Sequence, residues 1–205
     1  MIEIEGLKKR FGQSIALDEV SMHVRDGAMY GFVGPNGAGK TTTIRCMMGL
    51  LAADGGKLLI NGIDMEKEPK KALSQIGYIP DDFGVYDNLK VLEYMEFFAS
   101  CYGITGLSAR KRSMTLLDQV GLEGKSDFYV DSLSKGMKQR LCLARALVHN
   151  PSILIMDEPL QGLDAETKEK VATVIKTQTA GKTVLFVTHD EKEAEFFEAE
   201  CMELA

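Results

Sequence analysis

The chain has 205 residues, of which 45% are hydrophobic and 26% charged, so it is long and apolar enough to bury one ordinary core. Its net charge of −6 argues against a nucleic-acid partner, because a phosphate backbone is bound by clustered Lys and Arg. We expect no secretion signal and no membrane span, since the apolar runs are far shorter than roughly 20 residues. The four cysteines have long, unequal spacings without a CxxC pair, which is typical of a reducing cytoplasm.

Apolar and polar residues alternate in the N-terminal region. The apolar positions are Ile2, Ile4, Val20, Met22 and Val24. This period of two predicts strands with one exposed face, as in an antiparallel sheet. The segment Lys57–Asn61, followed by Gly62, predicts another strand and turn of the same kind.

Three short runs are apolar without alternation, namely Met29–Val33, Ile153–Met156 and Val184–Val187. Such runs indicate strands that are covered on both faces, as in the parallel sheet of an α/β protein. Ligands of these proteins bind at the carboxyl ends of the strands. We therefore expect the loops that follow the three runs to meet at one edge of the sheet and to form one site.

The region from about residue 87 to residue 150 changes to a helical period. Asp87 or Asn88 is the predicted cap of a helix that continues to Phe98, and Ser108 is the predicted cap of a second that continues to Val120. A third helix is predicted from Ser134 to about residue 148. The chain then reads as one domain over residues 1–205, with a helical subdomain at about 87–150.

The loop after the first apolar run matches the phosphate-binding pattern G-x-x-x-x-G-K-[ST]. It consists of Gly34, Pro35, Asn36, Gly37, Ala38, Gly39, Lys40, Thr41 and Thr42. Glycines let backbone N–H groups surround phosphate oxygens, and the helix that follows directs its positive end at them. Lys40 is expected to reach the β and γ phosphates, and the Thr41 hydroxyl to bind Mg²⁺. The strand before and the helix after favour this interpretation over an accidental glycine-rich turn.

The second apolar run ends in two carboxylates, Asp157 and Glu158. Alone, such a pair is most often an ordinary turn. Beside a phosphate-binding loop it has the chemistry that phosphoanhydride hydrolysis needs, with one carboxylate on the Mg²⁺ side and one that polarises water. We expect Asp157 to be the Mg²⁺ ligand and Glu158 the general base.

Together with these motifs, the start of the third helix resembles the signature motif of the ATP-binding subunits of ABC transporters. The matching residues are Leu133, Ser134, Lys135, Gly136 and Met137. The resemblance implies a P-loop NTPase of the α/β class, with a mixed or parallel sheet core, an N-terminal antiparallel β subdomain and a helical subdomain. It also implies a head-to-tail dimer in which the signature motif contacts the γ-phosphate held by the other subunit.

Further positions match the same family. Phe11 corresponds to the aromatic residue that stacks on adenine, although a lone aromatic is equally often an edge or core residue. His189 corresponds to the histidine that senses the γ-phosphate, although a lone His after a strand is usually a surface residue. Asp81 stands where the family usually has a glutamine near Mg²⁺, which makes it a candidate metal ligand. The segment Gly162–Asp164 resembles the loop that crosses the dimer interface.

The resemblance implies an Mg²⁺-dependent ATPase that forms a homodimer or heterodimer with another ATP-binding subunit. It implies further that hydrolysis to ADP and phosphate drives transport through a separate membrane permease, at the cytoplasmic face of the membrane. Gly77–Asp81 and Leu133–Met137 look most like the ATPases of ABC-2 type exporters. Family members usually continue through more strands after the acidic segment Asp190–Glu198, so we expect an exposed sheet edge and reduced stability.

Three alternatives from other classes remain. One is a soluble ABC ATPase without a transporter, which usually has tandem ATPase domains or a long coiled-coil insertion. Another is a P-loop nucleotide kinase, which needs an acceptor site and a lid. The third is a module that binds nucleotide without hydrolysing it, an alternative favoured by Asp81 and by the short segment after His189.

Overall fold

The structure is a computed structural model that describes residues 1–35, 37–82, 84, 86 and 88–203. The chain divides into two compact units. The first comprises Met1–Ile76, Ser152–Glu158 and Thr179–Ala205, and the second comprises Gly77–Pro151 and Pro159–Gln178. In the described part of the chain, no helix has both the length and the apolar composition of a membrane span.

The first unit contains a four-stranded antiparallel sheet in the order β2-β1-β4-β5. Its strands are β1 (Ile2–Phe11), β2 (Ser14–Val24), β4 (Gly55–Ile60) and β5 (Ile63–Asp64). Ile2 and Ile4 are buried, as are Met22 and Val24 on the partner strand. The antiparallel strands predicted from the alternating pattern are therefore confirmed.

The first unit also contains parallel strands in the order β7-β8-β3-β9. They are β3 (Met29–Val33), β7 (Ile153–Asp157), β8 (Thr183–Thr188) and β9 (Glu200–Glu203). Every residue of β7 and β8 is buried, which explains why these segments are apolar without alternation. The parallel pairing predicted for the three apolar runs is confirmed.

The register of these strands brings three loops to one edge. Val33 at the end of β3 lies opposite Thr188 at the end of β8, and Asp157 at the end of β7 lies opposite Val187. The chain therefore leaves all three strands at the same level. This confirms that the loops after the three runs begin at one edge of the sheet.

The remaining elements of the first unit are α1 (Lys40–Met47), α2 (Pro69–Leu73) and α7 (Glu191–Phe196). Helix α7 lies within the acidic segment and contacts both β3 and β8. The strand β9 follows it and was not predicted from the sequence. The strand β6 (Ile76–Ile79) begins with Ile76, which belongs to the first unit, and its other residues belong to the second.

The second unit is mainly helical. It contains α3 (Val91–Cys101), α4 (Gly106–Gln119), α5 (Lys135–Ala146) and α6 (Ala165–Gln178), with two short 3₁₀ helices, η1 (Glu123–Lys125) and η2 (Val130–Ser132). Helix α5 packs against the other three helices. The three helices predicted in this region are present, whereas α6 was not predicted.

The predicted starts of two helices are wrong. Helix α3 has Lys90 as its N-cap, because the Glu93 carboxylate accepts the Lys90 N–H at 2.9 Å and so fixes the first turn there. Asn88 precedes this turn with a φ of 64°, and Asp87 lies outside the described residues. Helix α4 has Thr105 as its N-cap, so that Ser108 lies within the first turn.

The start of α5 agrees with the sequence. The Ser134 hydroxyl accepts the Met137 N–H at 3.3 Å and caps the helix. Gly136 lies where α5 meets α6, and a Cβ at this position would be 2.4 Å from the Thr167 methyl group. The glycine is therefore required for close packing of the two helices.

A partly buried arginine links three elements of the second unit. Arg145 of α5 donates to the Tyr94 hydroxyl at 3.1 Å and to the Tyr78 carbonyl at 3.2 Å. Its guanidinium lies 5.2 Å from the ring centre of Phe98, within the range of a cation–π contact. Burial raises the pKa of Tyr94, so this phenol stays protonated at all physiological pH values.

Removing the Tyr94 hydroxyl should destabilise the protein. Tyr94→Phe keeps the ring and leaves one N–H of the partly buried Arg145 without this acceptor, so we expect a loss of about 1–2 kcal/mol in the free energy of unfolding. Tyr102→Phe is the matched control, because Tyr102 is 45% exposed and its ring would still stack on His149. Urea unfolding of both variants tests the difference, and equal stabilities would contradict it.

The four cysteines, all reduced, should differ in reactivity. Cys46 and Cys142 are buried, and burial raises the pKa of Cys142 to about 11, whereas Cys101 and Cys201 are exposed. We expect a thiol reagent such as Ellman's reagent to modify two sites in the folded protein and four after denaturation. Mass spectrometry of the labelled peptides would identify them; early modification of Cys142 would be inconsistent with its burial.

Candidate functional site

The loop between β3 and α1 has the backbone of a phosphate-binding loop. Gly37 and Gly39 have φ values of 91° and 90°, a region that residues with side chains rarely adopt. Gly39 also has no room for a side chain, since its Cβ would be 2.7 Å from the Ala16 carbonyl oxygen. Asn36 lies outside the described residues. The glycine spacing of the motif thus follows from the loop conformation and from contact with β2.

Lys40 is the first residue of α1, and its side chain turns back over the loop. The residue is 6% exposed, and its ammonium donates to the carbonyl oxygens of Gly34 at 2.5 Å and Pro35 at 3.0 Å. The N-cap of α1 is Gly39, which has no side chain to cap the first turn. A cation and a helix N-terminus therefore meet at the inner side of the loop, where a phosphate would bind.

Two oxygen-bearing side chains are suited to Mg²⁺. Thr41 lies in the first turn of α1 and is exposed, whereas Asp157 ends β7 and is 2% exposed. Helix α1 packs beside β7, which brings the two elements together. Among the described residues, no group of three or more acidic, His or Cys side chains could hold a metal alone. This donor set fits Mg²⁺, which binds through one or two protein oxygens plus phosphate and water.

Glu158 and His189 form a close pair at the ends of β7 and β8. The His189 Nδ1 lies 3.0 Å and 2.9 Å from the two carboxylate oxygens of Glu158. The Glu158 side chain is 10% exposed, whereas that of His189 is 50% exposed. The carboxylate is therefore held by the imidazole at the mouth of the site.

The backbone of Glu158 is in the left-handed region, with a φ of 48°. This conformation costs a residue with a side chain about 1 kcal/mol. It is held by a hydrogen bond from the Glu158 N–H to the Val187 carbonyl at 3.0 Å. This bond is the last one of the ladder between β7 and β8, and the Glu158 side chain pairs with His189 directly after it.

The support for His189 was not predicted from the sequence. The preceding residue, Thr188, donates its hydroxyl to the buried Glu193 carboxylate at 2.8 Å and accepts the Asp190 N–H at 3.1 Å. Asp190 caps α7 by accepting the Lys192 N–H at 3.1 Å. The spacing of Asp190 and Glu193 resembles a capping box and is the sequence signal that could have indicated this helix start.

Phe11 is not a core residue. It ends β1, is 51% exposed, and lies 5.7 Å from the Lys9 ammonium, measured to the ring centre. Its ring therefore presents an accessible aromatic surface in the same unit as the phosphate-binding loop.

The second unit carries the signature residues and Asp81. Ser134 and Lys135 are exposed at the start of α5, whereas Leu133 and Gly136 are buried and Met137 is partly buried. The Lys135 ammonium lies close to Gly162, since a Cβ on that glycine would be 2.4 Å from it. The signature helix and the loop of Gly162 are therefore adjacent. Asp81 is exposed.

The sequence matches the family described as ABC transporter over residues 17–161. It is 35% identical over 197 residues to the linearmycin resistance ATP-binding protein LnrL of Bacillus subtilis, which covers 96% of this chain and 63% of LnrL. It is 37% identical over 196 residues to the Nod factor export ATP-binding protein I of Ralstonia nicotianae, which covers 95% of this chain and 61% of that protein. The chain thus spans somewhat less than two thirds of the length of these relatives.

The fold matches solved ATP-binding cassettes. The dimeric structure of the cassette MJ0796, in a post-hydrolysis state bound to ADP and Pi, superposes with a TM-score of 0.87 at 30% identity. The match covers 100% of this chain and 94% of that one. These likenesses agree with the phosphate-binding loop, the Asp157–Glu158 pair and the signature residues. The chain therefore belongs to the ABC transporter family and has the fold of its ATP-binding cassettes.

Proposed function

We propose that this protein hydrolyses ATP to ADP and phosphate as an Mg²⁺-dependent ATPase that drives transport. The observation that carries the proposal is the Glu158–His189 pair, with oxygen–nitrogen distances of 2.9 and 3.0 Å, at the strand edge where the phosphate-binding loop also begins. A carboxylate at this place has the chemistry to activate water. The names and structures of the relatives support the same activity.

Nucleotide binding would use groups of the first unit. The N–H groups of the loop and of the first turn of α1 would donate to the phosphate oxygens, and Lys40 would move from its carbonyl partners to the β and γ phosphates. The remaining loop residues, from Gly34 to Thr42, would surround the phosphates. Phe11 would stack on the adenine through its exposed ring.

Hydrolysis would begin with a water molecule beside Glu158. As the water oxygen attacks the γ-phosphorus, its proton passes to the Glu158 carboxylate, the bond to the β–γ bridging oxygen breaks, and ADP leaves. His189 would orient Glu158 by donating through Nδ1 and would donate to the γ-phosphate through Nε2, which requires the imidazolium form with a proton on both nitrogens. Catalysis would consist mainly of positioning and charge stabilisation.

Mg²⁺ would neutralise charge on the β and γ phosphates as the bond breaks. The Thr41 hydroxyl and the buried Asp157 carboxylate are the groups of the first unit that would hold it. We propose Asp81 as an additional ligand, directly or through water, in the place of the usual glutamine. Its negative charge near the phosphates would weaken nucleotide binding unless the metal is present.

The two units would form one ATP-binding domain, and two such domains a head-to-tail dimer. The exposed Ser134 and Lys135, together with Gly136 at the start of α5, would bind the γ-phosphate of nucleotide held by the other subunit. ATP would then join the subunits and hydrolysis would release them. The dimeric structure of the MJ0796 cassette supports the formation of a dimer.

The transport role would depend on a separate membrane permease. Nod factor export and multidrug transport appear in the names of relatives from Ralstonia nicotianae and Escherichia coli, and they favour an exporter. The protein would then lie at the cytoplasmic face of the membrane, bound to its permease.

Replacing Glu158 should separate binding from hydrolysis. Glu158→Gln keeps the size of the side chain and removes the carboxylate base, so we expect normal ATP binding, at least a hundredfold slower phosphate release and an ATP-dependent dimer. Glu191→Gln, at an exposed acid of α7, is the matched control. Phosphate release and size-exclusion chromatography provide the measurements. Near-normal turnover of Glu158→Gln would disprove the role as base, and no turnover in the native protein would favour a binding module.

Mixing two inactive variants should restore activity if the site is shared. Lys40→Ala damages the phosphate loop and Ser134→Arg damages the signature helix, so each is expected to be inactive alone. Random pairing gives about one half mixed dimers, and each mixed dimer has one intact composite site of two. About a quarter of all sites should therefore be active. Phosphate release by the mixture measures this recovery. A mixture that stays inactive while both variants still dimerise would contradict the head-to-tail arrangement.

A further inference from the structure

The loop that connects α1 to β4, residues 48–54, is bonded to the end of β1. The Asp54 N–H donates to the Lys8 carbonyl at 2.8 Å. The Asp54 carboxylate accepts the Arg10 N–H at 2.7 Å and the Lys9 ammonium at 3.0 Å. One residue thus holds three successive residues of β1, and the next residue along the strand is Phe11.

Lys9 extends this connection to the ring of Phe11. Its side chain is only 13% exposed, and its ammonium also donates to the Ala52 carbonyl at 2.6 Å. The same ammonium lies 5.7 Å from the centre of the Phe11 ring, close to the outer limit of a cation–π contact. The connecting loop therefore fixes the ammonium against which the ring rests.

Helix α1 is attached to the β1–β2 hairpin at both ends. At its N-terminus, Gly39 lies against the backbone of Ala16 and the side chain of Leu17, and Leu17 is paired with Lys9 across the hairpin. At its C-terminus, the N–H groups of residues 50 and 51 donate to the Arg45 carbonyl at 2.9 and 3.2 Å, which anchors the start of the connecting loop. The phosphate-binding helix and the strand that carries Phe11 are thus connected twice, directly at Gly39 and through the connecting loop.

We propose that Asp54 is a positioning residue for the nucleotide base, because it sets the distance between Phe11 and the phosphate-binding loop. The proposal rests on the stacking role given to Phe11 in the proposed function. A nucleotide whose phosphates are held by the loop reaches the ring only if the end of β1 stays at a fixed distance. Replacing the Asp54 side chain removes its bonds to the Arg10 N–H and to the Lys9 ammonium, which are the two nearest to Phe11. The backbone bond to Lys8 and the contacts of the loop glycines and Lys40 stay.

The charge state of Asp54 is consistent with this role. Its hydrogen bonds from the Arg10 amide and the Lys9 ammonium lower the pKa of the carboxyl. The group is therefore ionised at neutral pH and accepts both donors at once.

The test compares a ligand that has the base with one that lacks it. ADP and inorganic pyrophosphate share the diphosphate, and only ADP can stack on Phe11. Asp54→Ala should weaken ADP binding about five- to tenfold and leave pyrophosphate binding within about twofold of the native value, as measured by isothermal titration calorimetry. A purely structural effect of the substitution would lower both affinities together.

Two further variants serve as controls. Glu19→Ala removes an exposed ion pair of the same hairpin, with Lys8 at 2.8 Å, and should change neither affinity. Phe11→Ala should reproduce the selective loss of ADP, and adding Asp54→Ala to it should cause no further loss, since both act through one ring. If Asp54→Ala folds poorly, Asp54→Asn keeps one acceptor oxygen and should show a smaller loss of the same kind.

The possible outcomes distinguish the proposals. Equal losses for both ligands, or no loss for either, would overturn the role of Asp54. If Phe11→Ala weakens ADP binding and Asp54→Ala does not, the stacking assignment stands and the inference fails. If Phe11→Ala has no effect, both the stacking assignment and the inference fail.

Discussion

The parallel register of β8 with β3 and β7 is the constraint on which the site depends. Val33 lies opposite Thr188, and Asp157 lies opposite Val187, so the three strands end at one level. A change of register by one residue would exchange the side chains of the two faces, and because both faces of β7 and β8 are packed, it would disrupt the core on each side. The burial that fixes the core also fixes where Lys40, Glu158 and His189 stand relative to one another.

Two local features position individual side chains on this sheet, namely the backbone conformation of Glu158 and the hydrogen bonds of Asp54. Glu158 has a left-handed backbone directly after the last ladder bond of β7, and its carboxylate pairs with His189. At the end of β1, Asp54 holds the strand of Phe11 through three bonds. Both are single residues next to the end of a strand, where a small displacement of the backbone changes the position of a candidate site residue the most.

The sequence alone could predict features that depend on pattern and not those that depend on tertiary contact. The strand Met29–Val33 is predicted to the residue, since a short, continuous apolar run between polar loops is typical of a buried strand. The start of α5 is predicted because Ser134 is a residue type that caps helices well. The start of α3 was missed because lysine is rarely an N-cap residue. The position is decided by the bond from the Lys90 N–H to the Glu93 carboxylate. Neither the Thr188–Glu193 bond nor the contact of Asp54 with β1 leaves a pattern, because the partners meet only in the folded chain.

The two exposed cysteines have a practical consequence. Cys201 belongs to the first unit and Cys101 to the second, whereas Cys46 and Cys142 are buried. The chain therefore already carries one accessible attachment point for a spectroscopic label in each unit. Each unit can thus be labelled at one thiol without any engineered residue, at positions outside the phosphate-binding loop and the signature helix.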